Sequence, residues 1–180
     1  MHSPSIVRIA TPADHDDLWR LFLMGHRENG LFPLKHEKVE WFLQRALYPR
    51  LIHPGDTGTR AQLAVIGPVG KLEGMAFVIL NQYWYSEAYF LDELIVYVDP
   101  ECRKSDHAKA FIEWLKKTSD DLGIPLLTGI ISKDRTAAKI RLYDRYLPRI
   151  GAFYLHPLKG YDVKKKNHKM SREAWLASRD

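Results

Sequence analysis

A chain of 180 residues, 46% hydrophobic and 12% aromatic, can bury one sizeable core, so a single domain is expected. A mean hydropathy of -0.32 and the lack of any apolar run near the length of a bilayer span speak against a membrane protein. The opening MHSPSIVRIATPADHDD has no apolar signal segment, and the single cysteine, Cys102, excludes an internal disulfide framework and fits a reducing cytoplasm. No Cys/His spacing suggests a zinc site, so no metal is expected. The net charge of +5 is moderate and sits largely at the end of the chain, where Lys164, Lys165, Lys166, Lys169, Arg172 and Arg179 outnumber Asp162, Glu173 and Asp180. Residues 161–180 therefore read as a basic tail, with a short helix around Arg172 to Ser178. The tail is either simply solvated or makes a weak electrostatic contact with nucleic acid or another polyanion.

Ser5 to Ala10 alternates like a strand. Thr11, Pro12 and Asp14 then supply an N-cap, a first helical position and a capping partner for a helix through Leu18, Leu21 and Phe22 that stops before Gly30. A second helix from about His36 carries Val39, Phe42, Leu43, Ala46 and Leu47 on one stripe, and Pro49 with the His53–Gly58 loop ends it. From Ala61 the period changes. Gln62 to Ile66 and Leu72 to Asn81 form an antiparallel pair around Gly67-Pro68-Val69-Gly70, and Asn81 to Glu87 leads into a long strand from Ala88 to Val98. A helix from Ser105 to Leu122, a buried strand from Pro125 to Ser132, a helix capped by Asp134 or Thr136, and a strand starting at Ala152 to Leu155 complete the chain. The order β-α-α-β-β-β-α-β-α-β describes a single α/β (α+β) domain over residues 1–160, with a mixed, mostly antiparallel sheet flanked by helices.

The segment FLDELIVYVDPECRKSDHAKAFIEWLKK, Phe90 to Lys117, is the most informative. A buried strand meets the breaker Asp99-Pro100 and the cationic turn Arg103-Lys104-Ser105, from which an amphipathic helix opens. The unpaired N–H groups of a helix start, with its partial positive charge, can hold a phosphate, and Arg103 and Lys104 add full charges there. A cofactor bearing a pyrophosphate is the first ligand to suspect.

This element order, with the strand–cationic turn–helix unit at its centre, resembles the GNAT acyltransferase superfamily over roughly Ser5 to Leu155. Val98-Asp99-Pro100-Glu101-Cys102-Arg103 is similar to that family's entry into its pyrophosphate loop. Arg141-Leu142-Tyr143-Asp144-Arg145, followed by Ile150-Gly151-Ala152-Phe153, is similar to its late helix and following strand, in wording nearest to the phage and prophage branch. The family loop reads Gln/Arg-x-x-Gly-x-Gly/Ala; Arg103 and Ala108 match, whereas Asp106 stands where the first glycine would. Glycine serves there because phosphate approaches bare backbone and because the turn can need dihedrals a side chain resists.

The resemblance implies an N-acetyltransferase using acetyl-CoA as cosubstrate. CoA would bind through the backbone of Val96, Tyr97 and Val98 and through the turn Arg103, Lys104, Ser105, Asp106, His107 and Ala108. Acyl transfer to an amine needs a base for the ammonium proton and an acid for the leaving thiolate. Asp92 and Glu93 alternate faces, so only one points into a cleft, and Glu93 has the longer reach. By resemblance Tyr143 is the acid, with Tyr146 its rival. His26, His36, His53, His156 and His168 are scattered, and His107 reads more safely as a surface residue than as a phosphate contact. Tyr83-Trp84-Tyr85, Trp19 and Trp41 either wall an acceptor pocket or pack the sheet. The partner implied is an amine on a small molecule, peptide or protein, with room for a homodimer. The alternative is a non-catalytic module on the same fold that binds CoA, nucleic acid or a partner protein.

Overall fold

The computed structural model describes residues 5–49, 60–132 and 135–154. The expected basic tail, the 160/161 boundary, the loop at His53–Gly58 and the cap at Asp134 lie outside them. Five strands form one sheet in the order β1-β2-β3-β4-β5: β1 (Arg8–Ile9), β2 (Ala61–Ile66), β3 (Gly74–Gln82), β4 (Tyr89–Val98) and β5 (Leu126–Leu127). All neighbours are antiparallel except β4 and β5.

Helices α1 (His15–Asn29) and α2 (His36–Leu47) cover one face, and α3 (His107–Leu122) covers the other. On the first face Leu18, Leu21 and Leu43 are fully buried against Leu63, Met75 and Phe77. On the second, Phe111 and Leu115 pack over Ala64, Ala76 and Val78. Each fully buried aliphatic or aromatic side chain contributes about 1.5–3 kcal/mol relative to exposure. α1 lies so close to β4 that a Cβ on Gly25 would come within 3.2 Å of Ile95 and Tyr97. The β2–β3 turn has Gly67 at φ +109, a conformation side chains resist.

The start of α1 differs in detail from the expected cap. Pro12–Asp14 forms a single 3₁₀ turn, and the Asp14 carboxylate accepts from the Thr11 backbone N–H at 2.8 Å and pairs with Arg8 at 2.7 Å. Two strands are shorter than the sequence suggests. β5 covers only Leu126–Leu127 of the apolar run Pro125 to Ser132, because it parts from β4 after two residues and the remainder finds no ladder partner among the described residues. Ala152 to Tyr154 is irregular rather than a strand, with Phe153 72% and Tyr154 95% exposed, and Leu155 lies outside the described residues.

α4 (Thr136–Tyr143) follows Arg135, whose φ of 52 is the only positive value at a non-glycine among the described residues. Lys139 ties α4 to the end of α1, donating to Asn29 Oδ1 at 2.6 Å and Ser132 Oγ at 2.9 Å. Among the described residues no helix is long and apolar enough to cross a membrane.

Candidate active site

A β-bulge shapes the region where β4 and β5 part. Val78 pairs with Glu93 but Phe77 pairs with Ile95, so Leu94 is an extra residue on β4. Its consequence can be read from the hydrogen bonds on either side. The Leu91 N–H donates to Pro125 O across to β5, whereas the Asp99 N–H donates to Glu73 O on the β3 side. Leu91 and Asp99 are an even number of residues apart and would face the same neighbour in a regular strand; the bulge reverses that. Val96 and Val98 therefore turn their backbone groups into the gap left by β5, while the backbone of Tyr97 belongs to the β3 ladder.

Of the three expected cofactor-binding positions on β4, Val96 and Val98 thus line the gap. Tyr97 instead packs its ring into the α1–α2 core. Burial, and then the nearby Glu28 charge, push its phenol up to about 12.

Glu93 is the first residue past the last β4–β5 pair, and it is 8% exposed. Burial pushes its carboxyl up to about 7. The hydrogen bond from Tyr143 opposes that rise, the neighbouring Asp92 charge adds to it, and the nearby backbone N–H of Val96 holds it down. The Tyr143 hydroxyl donates to Glu93 Oε2 at 3.1 Å. Burial and the Glu93 charge raise the phenol well above its ordinary value, so it is neutral and carries its proton. Tyr146 lies past the end of α4, in the turn where its N–H donates to Tyr143 O. Asp92 sits opposite Ile79, on the α1–α2 face, and accepts from Asn81 Nδ2 at 2.9 Å. The two carboxylates do face different ways, and Glu93 is the one that joins Tyr143.

The turn into α3 departs from expectation at two side chains. Arg103 pairs with Glu28 of α1, donates from Nε to Val98 O at 3.1 Å, and lies 5.5 Å from the Tyr97 ring centroid. Its charge is held against α1 and braces the end of β4 rather than standing free at the helix start. Arg103→Gln should therefore destabilise the fold by about 2 kcal/mol, because it removes the near cation from a Glu28 side chain only 12% exposed and leaves it Lys139 at 3.8 Å. Adding Glu28→Gln should recover much of that loss in a denaturant titration. A stability loss unchanged by the second substitution would remove the brace.

His107 is fully buried, with Nε2 2.6 Å from Glu73 Oε2 and Nδ1 2.8 Å from Ser5 Oγ, so its ring reaches no phosphate and is no surface residue. Glu73, Cys102 and His107 bring ligand-type atoms within 4.8 Å of one another, a grouping invisible in the spacing. Glu73 and His107 already bond each other, and the Cys102 thiol is pushed up by burial and by Glu73.

The remaining positions keep an open helix start. Ser105 Oγ donates to Cys102 O at 2.5 Å and accepts from the His107 N–H at 3.3 Å, which caps the turn. Asp106 precedes the helix with φ -86, so this residue in the place of glycine costs nothing in dihedral strain. Lys104 and Asp106 are exposed and Ala108 is half-buried at the first turn, where helix geometry leaves N–H groups unpaired. One end of the gap thus carries a proton-transfer pair, and the other a helix N-terminus able to hold an anion.

No family model matches the chain, and no curated protein does. Solved structures do match. A ribosomal-protein-alanine N-acetyltransferase from Brucella melitensis biovar Abortus 2308 superposes with a TM-score of 0.60 at 15% identity, over 85% of this chain and 98% of that one. A GNAT family acetyltransferase from Staphylococcus aureus gives 0.52 at 15% identity, over 84% and 97%. An aminoglycoside antibiotic 6'-N-acetyltransferase from Acinetobacter haemolyticus gives 0.58 at 10% identity, over 85% and 98%. The chain therefore has the GNAT acetyltransferase fold.

Proposed function

We propose that this chain, built on the GNAT acetyltransferase fold, is an N-acetyltransferase that moves an acetyl group from acetyl-CoA to an amine by direct attack in a ternary complex. The observation that carries this reading is the Glu93–Tyr143 pair at the β4–β5 gap, with one carboxylate poised near neutral pH and the Val96 N–H beside it. The pantetheine arm would lie along Val96 and Val98, and the pyrophosphate at the start of α3 near Ser105 to Ala108.

In this reaction the ammonium form of the acceptor gives its proton to Glu93. The freed nitrogen attacks the thioester carbonyl carbon, and the carbonyl oxygen gains the negative charge that the Val96 N–H, turned into the gap, can stabilise. Collapse forms the amide and breaks the carbon–sulfur bond, and the nitrogen, which has already given one proton to Glu93, loses its second proton to water. The thiolate takes a proton from Tyr143. A phenol raised well above its ordinary pKa is a poor acid for a thiolate by itself. Transfer becomes favourable when Glu93, carrying the acceptor's proton, refills the phenol as it empties. Glu93 and Tyr143 thus act as one relay from nitrogen to sulfur. The test is release of free CoA thiol from acetyl-CoA across a panel of amines: amine-dependent release is expected, and acetyl-CoA bound but never consumed with any amine would overturn the reading.

A further inference from the structure

The β3–β4 hairpin carries an arrangement that the relay does not use. Among the described residues, the half-buried or buried carboxylates have basic partners: Asp14 with Arg8, Asp17 and Asp99 with Arg20, Glu28 with Arg103, Glu40 with His15 and Glu73 with His107. Asp92 and Glu93 are the exceptions. Glu93 needs no cation, because its proton comes and goes. Asp92 has only the neutral amide of Asn81.

The surroundings of Asp92 are specific. Its pairing opposite Ile79 sets it on the α1–α2 face, and Phe90, opposite Asn81, shares that face. The Phe90 ring lies 5.2 Å from Tyr83, and Tyr83 stacks on Tyr85 at 5.3 Å. These rings run outward from Asp92 toward the hairpin tip, with Tyr83 44% and Tyr85 69% exposed. Exposed rings stacked beside an uncompensated carboxylate offer a cation both a counter-charge and π faces.

Resting on the acyl-transfer reading, we infer that the acceptor is a flexible aliphatic amine bearing at least a second ammonium group, and that Asp92 with the Phe90–Tyr83–Tyr85 strip selects it. A monoamine that has given its proton to Glu93 is neutral and leaves Asp92 without a counter-charge while it reacts. A diamine keeps one ammonium for Asp92 as the other nitrogen is deprotonated and forms the amide. Longer polyamines extend along the rings, where each methylene covers apolar surface and each further ammonium meets a ring face.

The experiment compares 1-aminobutane with 1,4-diaminobutane, two amines of one chain length. The expected kcat/KM favours the diamine by roughly tenfold or more, as for a hydrogen bond to a charged group, with the difference mainly in KM. Asp92→Asn, which keeps the shape and the Asn81 bond, should bring the ratio close to one, and Asp92→Glu should restore part of it. Tyr83→Ser, on an exposed ring that the fold can lose, should weaken bis(3-aminopropyl)amine more than the diamine. Equal use of the two amines by the unaltered protein, or a preference that survives Asp92→Asn, overturns the inference and leaves acetyl transfer standing. If acetyl-CoA is not consumed with any amine, the acyl-transfer reading is what fails. Calorimetric titration of 1,4-diaminobutane into the CoA-saturated protein then decides the strip alone: heat lost in Asp92→Asn supports it, and no heat in the unaltered protein overturns it.

Discussion

Replacing Glu93 by glutamine should lower kcat/KM at pH 7 by about 10²-fold or more, the range that general base catalysis supplies. The pH profile distinguishes this loss from a packing defect. In the unaltered protein the rate should climb as pH rises through about 7, where the buried carboxyl gives up its proton and becomes a base. In Glu93→Gln that limb should vanish, leaving a rise at higher pH that follows the acceptor's own ionisation. Stability should move in the opposite direction. A folded-state pKa of about 7 against the ordinary 4.5 means that the native fold prefers the protonated acid. Stability present below about pH 4.5 is therefore lost as pH climbs through 7, by roughly 3 kcal/mol at 1.36 kcal/mol per unit. Glu93→Gln should thus be more stable than the unaltered protein at pH 8 and about equal to it at pH 4, by thermal melting at both. A variant equally active at pH 7, or one destabilised at pH 8, would show that Glu93 is neither the base nor a buried acid.

The second large effect belongs to Tyr143. Tyr143→Phe keeps the ring that α4 packs above β4 and removes the proton that reaches sulfur. kcat should fall at least about tenfold, less than the ~10²–10⁴ that a positioned acid contributes because water substitutes in part, while KM for acetyl-CoA changes little. The relay adds a sharper expectation. Because phenol and carboxyl pass one proton between them, the double variant Glu93→Gln with Tyr143→Phe should be scarcely slower than the worse single variant. Fully multiplicative losses would mean two independent groups. Unchanged turnover in Tyr143→Phe with a loss in Tyr146→Phe would move the acid into the turn beyond α4.

Much of the architecture was legible because it rests on local rules. Leu43, Ala46 and Leu47 fall on one helical stripe, Gly67 and Gly70 punctuate the β2–β3 turn, and Gly123, at φ 66, ends α3. The candidate site was legible only to the level of residue type. Asp92 and Glu93 could be seen to point opposite ways, but which one faces the gap depends on the bulge at Leu94, and nothing in LDELIV marks an extra residue. That bulge also decides that Val96 and Val98, and not Tyr97, turn their backbone into the gap. The partners of Arg103 and His107 were invisible in the sequence for one shared reason. Each is paired across a long stretch of chain, Arg103 with Glu28 and His107 with Glu73, and sequence spacing does not report such partners. The short β5 follows the same logic, since an apolar run predicts burial but not whether a neighbouring strand stays within hydrogen-bonding distance.

The most direct measurement is the melting temperature of the protein with and without acetyl-CoA, beside Ala108→Glu, which places a carboxylate at the α3 start, and Lys71→Glu, an exposed charge reversal elsewhere. At about 100 times its dissociation constant the ligand should stabilise the unaltered protein and Lys71→Glu by about 2.7 kcal/mol, and Ala108→Glu far less. No shift at millimolar acetyl-CoA, or an equal shift in all three proteins, would contradict acyl-CoA binding in the gap between β4 and β5.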